Sequence, residues 1–377
     1  MNRADGGVLA PKGFSAGAAA AGIKAGGGPD VALIWSESPA VTAAGFARNS
    51  ILAAPARLSR KNVRNHDVRA IVVNSGNANC MTGKEGEEHA RRMAEDTAKL
   101  LGIGAGQVLV ASTGIIGRPL PIGKVSTGIR SAFDHKASGA GVAKAIMTTD
   151  TRPKSVAYTC EVGGKAVAIG GCAKGSGMIQ PNMATMLAFL TTDAAIKPEL
   201  LDKALREAVK PSFNSITVDG CSSTNDTVSV MANGQAGNPA ITEEDQDYQT
   251  FLQALKRACL DLALMIVRDG EGATMLVTVN VQGAKDYGQA KTIAYAVANS
   301  PLVKTATHAK TENWGRIAQA VGALGLDITE DTLDMKVDRP AKDELAITVT
   351  VQLGAAEATV YTCDLTKEYV DINVEYN

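Results

Sequence analysis

The chain has 377 residues, 45% of them apolar and 20% charged, with a formal net charge of −1. That length accommodates one large or two ordinary domains around a sizeable core, and the near-zero charge argues against a nucleic-acid surface or an acidic tail. Six cysteines without a Cys-x-x-Cys pair and four dispersed histidines do not fit zinc-ligand spacing.

The chain opens with Met1-Asn2-Arg3-Ala4-Asp5 and then glycine and proline, not the apolar core of a signal peptide. No apolar run approaches membrane-spanning length. A soluble, cytoplasmic protein is therefore expected, with reduced and mostly buried cysteines. Glycine turns alternate with short apolar runs over residues 7–53, and Val31 to Trp35 suits a buried strand. The basic stretch from Arg57 to Arg69 reads as a solvated loop or helix end. Ala70 to Asn74 is the next strand and runs into Ser75-Gly76-Asn77-Ala78-Asn79, a turn signal by composition. Glu85 to Leu101 reads as a helix with acidic residues in its first turn and an apolar stripe along one side. Gln107 to Ala111 is a strand that ends in Ser112-Thr113-Gly114. Gly123-Lys124 is no phosphate loop, because the spacing is wrong and Val125 stands where Ser or Thr is required.

Two short strands should flank Gly163-Gly164. The stretch from Gly171 to Asp193 then combines a glycine-rich turn carrying Lys174, a polar elbow at Gln180-Pro181-Asn182, and an apolar run opening at Ala184-Thr185. By residue type alone, Thr185 is a β-branched residue suited to a strand. Beyond it, Pro198 introduces an amphipathic helix, Asn214 to Val218 and Thr227 to Met231 look like strands, and Thr242 is placed to cap a long helix. A strand over Met275–Val281, helices over Lys291–Ala298 and Trp314–Leu324, and strands over Leu345–Val351, Thr359–Cys363 and Tyr369–Val374 complete the reading. The expected class is α/β (α+β), with mixed sheets and helices in two lobes.

Lys174-Gly175-Ser176-Gly177-Met178-Ile179, followed by Pro181-Asn182-Met183-Ala184-Thr185-Met186-Leu187, closely resembles the self-cleavage segment of the ornithine acetyltransferases (glutamate N-acetyltransferases) of arginine biosynthesis. The likeness runs nearly end to end and includes Asn74-Ser75-Gly76-Asn77-Ala78-Asn79. It implies an N-terminal-nucleophile-like fold and a break between Ala184 and Thr185, giving an α chain of residues 1–184 and a β chain of 185–377. Both chains would contribute to one intertwined active site. It also implies a threonine whose freed α-amine serves as base for its own hydroxyl. Thr113 and Gly114 match the oxyanion pair, and Thr151, Lys174, Glu271 and Asn373 match substrate-binding positions. The implied reaction moves acetyl from N2-acetyl-L-ornithine to L-glutamate in a ping-pong cycle through acetyl-Thr185, with no cofactor or metal. Some members also use acetyl-CoA, and the residues leave that choice open. The family suggests two α and two β chains, with no nucleic-acid or membrane partner.

Two departures stand out. Met275 occupies a position where the family usually has lysine, and reads as a core-facing exchange. The chain also stops at Tyr376-Asn377, short of the terminal hydroxyl residue that helps the family bind substrate. Two other readings of the same residues stay open: an N-terminal-nucleophile aminopeptidase or amidase with water as acceptor, and a non-catalytic amino-acid-binding protein.

Overall fold

The computed structural model describes residues 1–180, 186–311 and 313–375. The chain divides into two compact units. One comprises residues 1–175, 181–214 and 222–263, and the other 176–180, 215–221 and 264–377.

In the first unit the strands are β1 (Asn2–Arg3), β2 (Phe14–Ala19), β3 (Val31–Ser36), β4 (Val41–Phe46), β5 (Ala70–Asn77), β6 (Val108–Ile115), β7 (Lys154–Val162), β8 (Lys165–Lys174), β9 (Leu187–Thr192) and β10 (Thr227–Ala232). The helices are α1 (Ala54–Asn62), α2 (Gly83–Leu101), α3 (Ile122–Asp134), α4 (Gly139–Ala145) and α5 (Pro198–Val209), with α6 (Gln246–Arg268) crossing the division. The strands form a six-stranded sheet, β1-β7-β8-β9-β10-β4, and a four-stranded sheet, β2-β3-β5-β6.

Strand alternation explains how the two sheets stack. Every residue of β3 is buried, yet its side chains must point to opposite faces. Val31, Leu33 and Trp35 join a core with Met93 of α2 and Ile129 of α3. Ala32 and Ile34 instead join a core with Cys172, Leu187 and Phe189 of the larger sheet. Beyond that sheet, a Cβ added at Gly171 of β8 would fall 3.1 Å from Leu262 Cδ1 of α6, so that helix covers the outer face there. The layers thus run helix, sheet, sheet, helix, in keeping with the expected α/β (α+β) class.

The second unit adds β11 (Leu276–Ala284), α7 (Tyr287–Asn299), α8 (Pro301–His308), α9 (Trp314–Gly322), β12 (Leu333–Ala341), β13 (Glu344–Val351), β14 (Ala356–Cys363) and α10 (Lys367–Glu375). Its sheet runs β12-β13-β11-β14. Alternate residues of β13 are buried, as expected when helices cover one face only. Val279, Ile347 and Val360 pack there against Ile293 and Val297 of α7. Met275 is buried in the same core, in keeping with a core-facing exchange.

Four expectations need correction. Tyr369–Val374 is not a strand but part of α10. The period-2 run of Val370, Ile372 and Val374 suggested a strand, but Val370 and Val374 end up exposed on the helix. Asn214–Val218 supplies only a 3-10 turn (Phe213–Ser215) and a single bridge from Ile216 to Tyr361. α6 starts at Gln246, where the Asp245 carboxylate accepts the Tyr248 N–H at 3.0 Å, so Asp245 and not Thr242 meets the helix start. Finally, Ser75-Gly76-Asn77 is no turn but the bulged end of β5.

Among the described residues no helix is long and apolar enough to cross a membrane. The cysteines are free thiols, and all but Cys221 are buried. Burial pushes the Cys160 thiol up to about 11 and the Cys172 thiol up to about 12, which keeps both unreactive.

Candidate active site

In the first unit the site is built on the parallel pair β5–β6. Ser75 lies opposite Thr113 and Gly76 opposite Gly114, and the register slips at Asn77. Gly114 has φ +131°, and a Cβ there would fall 2.3 Å from the Gly76 carbonyl carbon. Only glycine allows the two strand ends to approach so closely. Side chains pin the same end from below. Ser112 Oγ donates to Asn74 Oδ1 at 2.6 Å, and Asn225 Nδ2 donates to the carbonyls of Ser112 (2.9 Å) and Ala78 (2.5 Å). Thr113 is half-buried on this rigid lip.

Lys174 ends β8 and is almost fully buried, with its Nζ donating to Thr113 Oγ1 at 3.3 Å. A hydroxyl that accepts from an ammonium keeps its own proton to donate. The pair is therefore suited to stabilise an oxyanion.

Beneath Lys174 lies a buried charge cluster that the sequence reading missed. Asp150 and Lys154 form a pair at 2.6 Å, and their side chains are 0% and 1% exposed. Asp150 Oδ1 also accepts the Gly175 N–H at 2.7 Å, and Oδ2 accepts the Thr148 N–H at 3.0 Å. Burial pushes the Asp150 carboxyl up, but Lys174 and Lys154 outweigh it and bring the group down to about 2. Lys24 donates to the carbonyls of Pro29 (3.0 Å) and Ala145 (3.3 Å). Burial pulls its ammonium below the usual lysine range against the opposing attraction of Asp30 and Asp150. The spacing of Asp150 and Lys154, four residues apart around Thr151, was the available signal. Their burial was not readable.

Because Asp150 is depressed below its ordinary 3.8, its contribution to stability is complete above about pH 4 and fades as pH falls toward 2. An acid-unfolding curve should therefore steepen in that window for the wild type and less so for Asp150→Asn.

Thr151 is exposed beside Asp150, at the turn into β7. Ala184 and Thr185 lie outside the described residues. The chain resumes with buried Met186, whose carbonyl accepts the Thr227 N–H at 3.0 Å, and then enters β9.

The second unit brings Glu271 and Asn373 together. Glu271 follows the end of α6, and its N–H donates to Ser176 O at 3.0 Å. Its buried carboxylate lies over Gly177, where a Cβ would come within 2.4 Å of both oxygens. Asn373 Nδ2 donates to Glu271 Oε2 at 2.7 Å and to Tyr369 O at 2.9 Å. The second bond spans four residues and depends on the helical form of α10. Nearby, Asp219 accepts the N–H groups of Met178 (2.6 Å) and Ile179 (3.0 Å). The Tyr369 hydroxyl is pushed up by burial and then by Asp219, Cys221 and Glu271. Glu271 thus offers a fixed, buried anion suited to an amine.

Among the described residues no group of three or more His, Cys, Asp or Glu is gathered to hold a metal ion.

The profile of the ArgJ family matches residues 15–377. A protein of Geobacter sulfurreducens called arginine biosynthesis bifunctional protein ArgJ is 46% identical over 388 residues, covering 97% of this chain and 99% of that one. Its counterpart of the same name in Symbiobacterium thermophilum is 46% identical over 395 residues, covering 98% of each. A crystal structure of the Bacillus halodurans protein of that name is 40% identical, spans 50% of this chain and 99% of its own, and superposes with a TM-score of 0.47. With a family match over residues 15–377 and relatives so similar over nearly their whole lengths, the chain belongs to the ArgJ family.

Proposed function

We propose that this chain, an acetyltransferase of arginine biosynthesis, moves the acetyl group of N2-acetyl-L-ornithine to L-glutamate through an ester on Thr185. The observation that carries the reading is the buried Lys174 ammonium 3.3 Å from Thr113 Oγ1, at a strand end where glycine is obligatory.

In maturation, the Thr185 hydroxyl attacks the Ala184 carbonyl, the C–N bond breaks, and the proton passes to the departing nitrogen. Water then hydrolyses the ester, leaving an Ala184 carboxylate and a Thr185 with a free α-amine. In turnover, the Thr185 hydroxyl attacks the acetyl carbonyl while the α-amine takes its proton. Thr113, Gly114 and Lys174 stabilise the oxyanion. The proton leaves with the ornithine α-amine, and the glutamate α-amine then attacks the acetyl ester by the reverse route. Glu271, steadied by Asn373, holds a substrate amine, and Thr151 contributes at the rim. The α-nitrogen is acylated in one substrate and attacks in the other, so the anchor the two share is the α-carboxylate, and the amine that Glu271 holds in N2-acetylornithine is the side-chain amine. The relatives are called bifunctional, and we read the second activity as use of acetyl-CoA as a donor. A cytoplasmic assembly of two α and two β chains completes the reading.

Incubation of the purified protein with N2-acetylornithine and glutamate should yield ornithine and N-acetylglutamate in equal amounts. Acetate release that does not depend on glutamate would favour the amidase reading instead. Gly177→Ala should push the Glu271 carboxylate aside. Its expected effect is a rise of roughly tenfold in KM, the scale of one charge-assisted hydrogen bond, with kcat and melting temperature changed little. An unaltered KM would remove Glu271 from substrate binding.

A further inference from the structure

We infer that Asp150 is a positioning residue for acetyl transfer, its buried carboxylate fixing the exit of β8 so that the Lys174 ammonium faces the Thr113 hydroxyl. The inference rests on the proposed oxyanion role of Lys174 and Thr113. Pairing of β8 with β9 ends at Lys174 opposite Leu187. Just past that point, the Gly175 N–H turns to Asp150 Oδ1 at 2.7 Å. The same oxygen meets Lys154 Nζ at 2.6 Å, and the other oxygen meets the Thr148 N–H at 3.0 Å. One carboxylate thus ties the residue after Lys174 to the segment that opens β7.

Energetics favour a functional reading of this pair. A buried ion pair adds little net stability, and apolar replacements of similar size are often tolerated as well or better. Burying Asp150 and Lys154 therefore makes more sense as a means of placing Lys174. Electrostatics agree, since the ammonium groups of Lys154 and Lys174 both act on Asp150, and Lys24 and Asp30 are the further charged groups in the cluster. Lys24 also packs its stem over Gly76, the strand partner of Gly114, so the cluster underlies both halves of the oxyanion lip.

The test is a double-mutant cycle on the cleaved, full-length enzyme with Asp150→Asn, Lys174→Gln and the pair, rates being expressed per cleaved molecule. Asp150→Asn should lower kcat about 10- to 100-fold, with KM for N2-acetylornithine unchanged within about twofold. In the Lys174→Gln background the same change should cost less than about twofold. Because Asp150→Asn leaves Lys154 buried without its carboxylate, Asp150→Asn/Lys154→Met is the companion. It should restore the melting temperature but not kcat. Equal losses in both backgrounds, a change confined to KM, or recovery of kcat along with the melting temperature would overturn the positioning role. Wild-type turnover in Lys174→Gln would overturn the oxyanion reading itself, and the inference with it.

Discussion

Replacing Thr185 with alanine should give a single uncleaved polypeptide on a denaturing gel and abolish acetyl transfer. Both outcomes follow from one hydroxyl. Without it no oxygen is present to attack the Ala184 carbonyl, so the α-amine is never freed, and no acetyl ester can form. Removing a nucleophile in comparable acyl-transfer enzymes costs about six orders of magnitude in kcat, leaving only what the oxyanion donors supply. Thr185→Ser should retain cleavage and part of the activity. A dependence on pH should accompany this, because an N-terminal amine acts as a base only when neutral. With a pKa of about 8 in short peptides, it predicts a rate that rises with pH toward that value. Cleavage persisting in Thr185→Ala would assign maturation to another group. Full transfer by an uncleaved chain would remove the amine from the mechanism.

The second large effect is expected at Thr113. Thr113→Ala removes one oxyanion donor and should slow turnover by roughly two to three orders of magnitude. Thr113 is only half-buried, and the core of β6 is carried by Val108, Leu109, Val110 and Ala111, so the melting temperature should hardly move. Thr113→Ser keeps the hydroxyl beneath Lys174 and should recover most of the rate. The pre-steady-state rate of acetyl-enzyme formation is the direct measurement. If that rate is unchanged in Thr113→Ala, the Lys174–Thr113 contact is structural only.

These residues differ in how far sequence alone could reach. β3, β5, β6 and β9 were legible because short apolar runs between turn signals are buried on both faces, a property of the residues themselves. α2 and α5 were legible from a 3.6-residue apolar stripe with suitable first turns. α10 was not, because Val370, Ile372 and Val374 carry a strand-like period while the segment folds as a helix against Gly272. That difference matters chemically, since the helix is what returns Asn373 onto Glu271.

Residue order by itself showed a small residue before Thr185, a Thr-Gly pair at a strand end and a lysine in a glycine-rich turn, while the acyl-transfer roles came from the resemblance of those motifs to a known family. Those features are local, so neighbours along the chain suffice to reveal them. Tertiary structure decided which charges are buried and which meet. Asp150 and Lys154 lie four residues apart, but Gly175 and Lys174 reach them from a distant segment, and the burial of all of them depends on β-layers far away in sequence. No local pattern encodes that contact, because the free energy of a charge is set by what surrounds it in space.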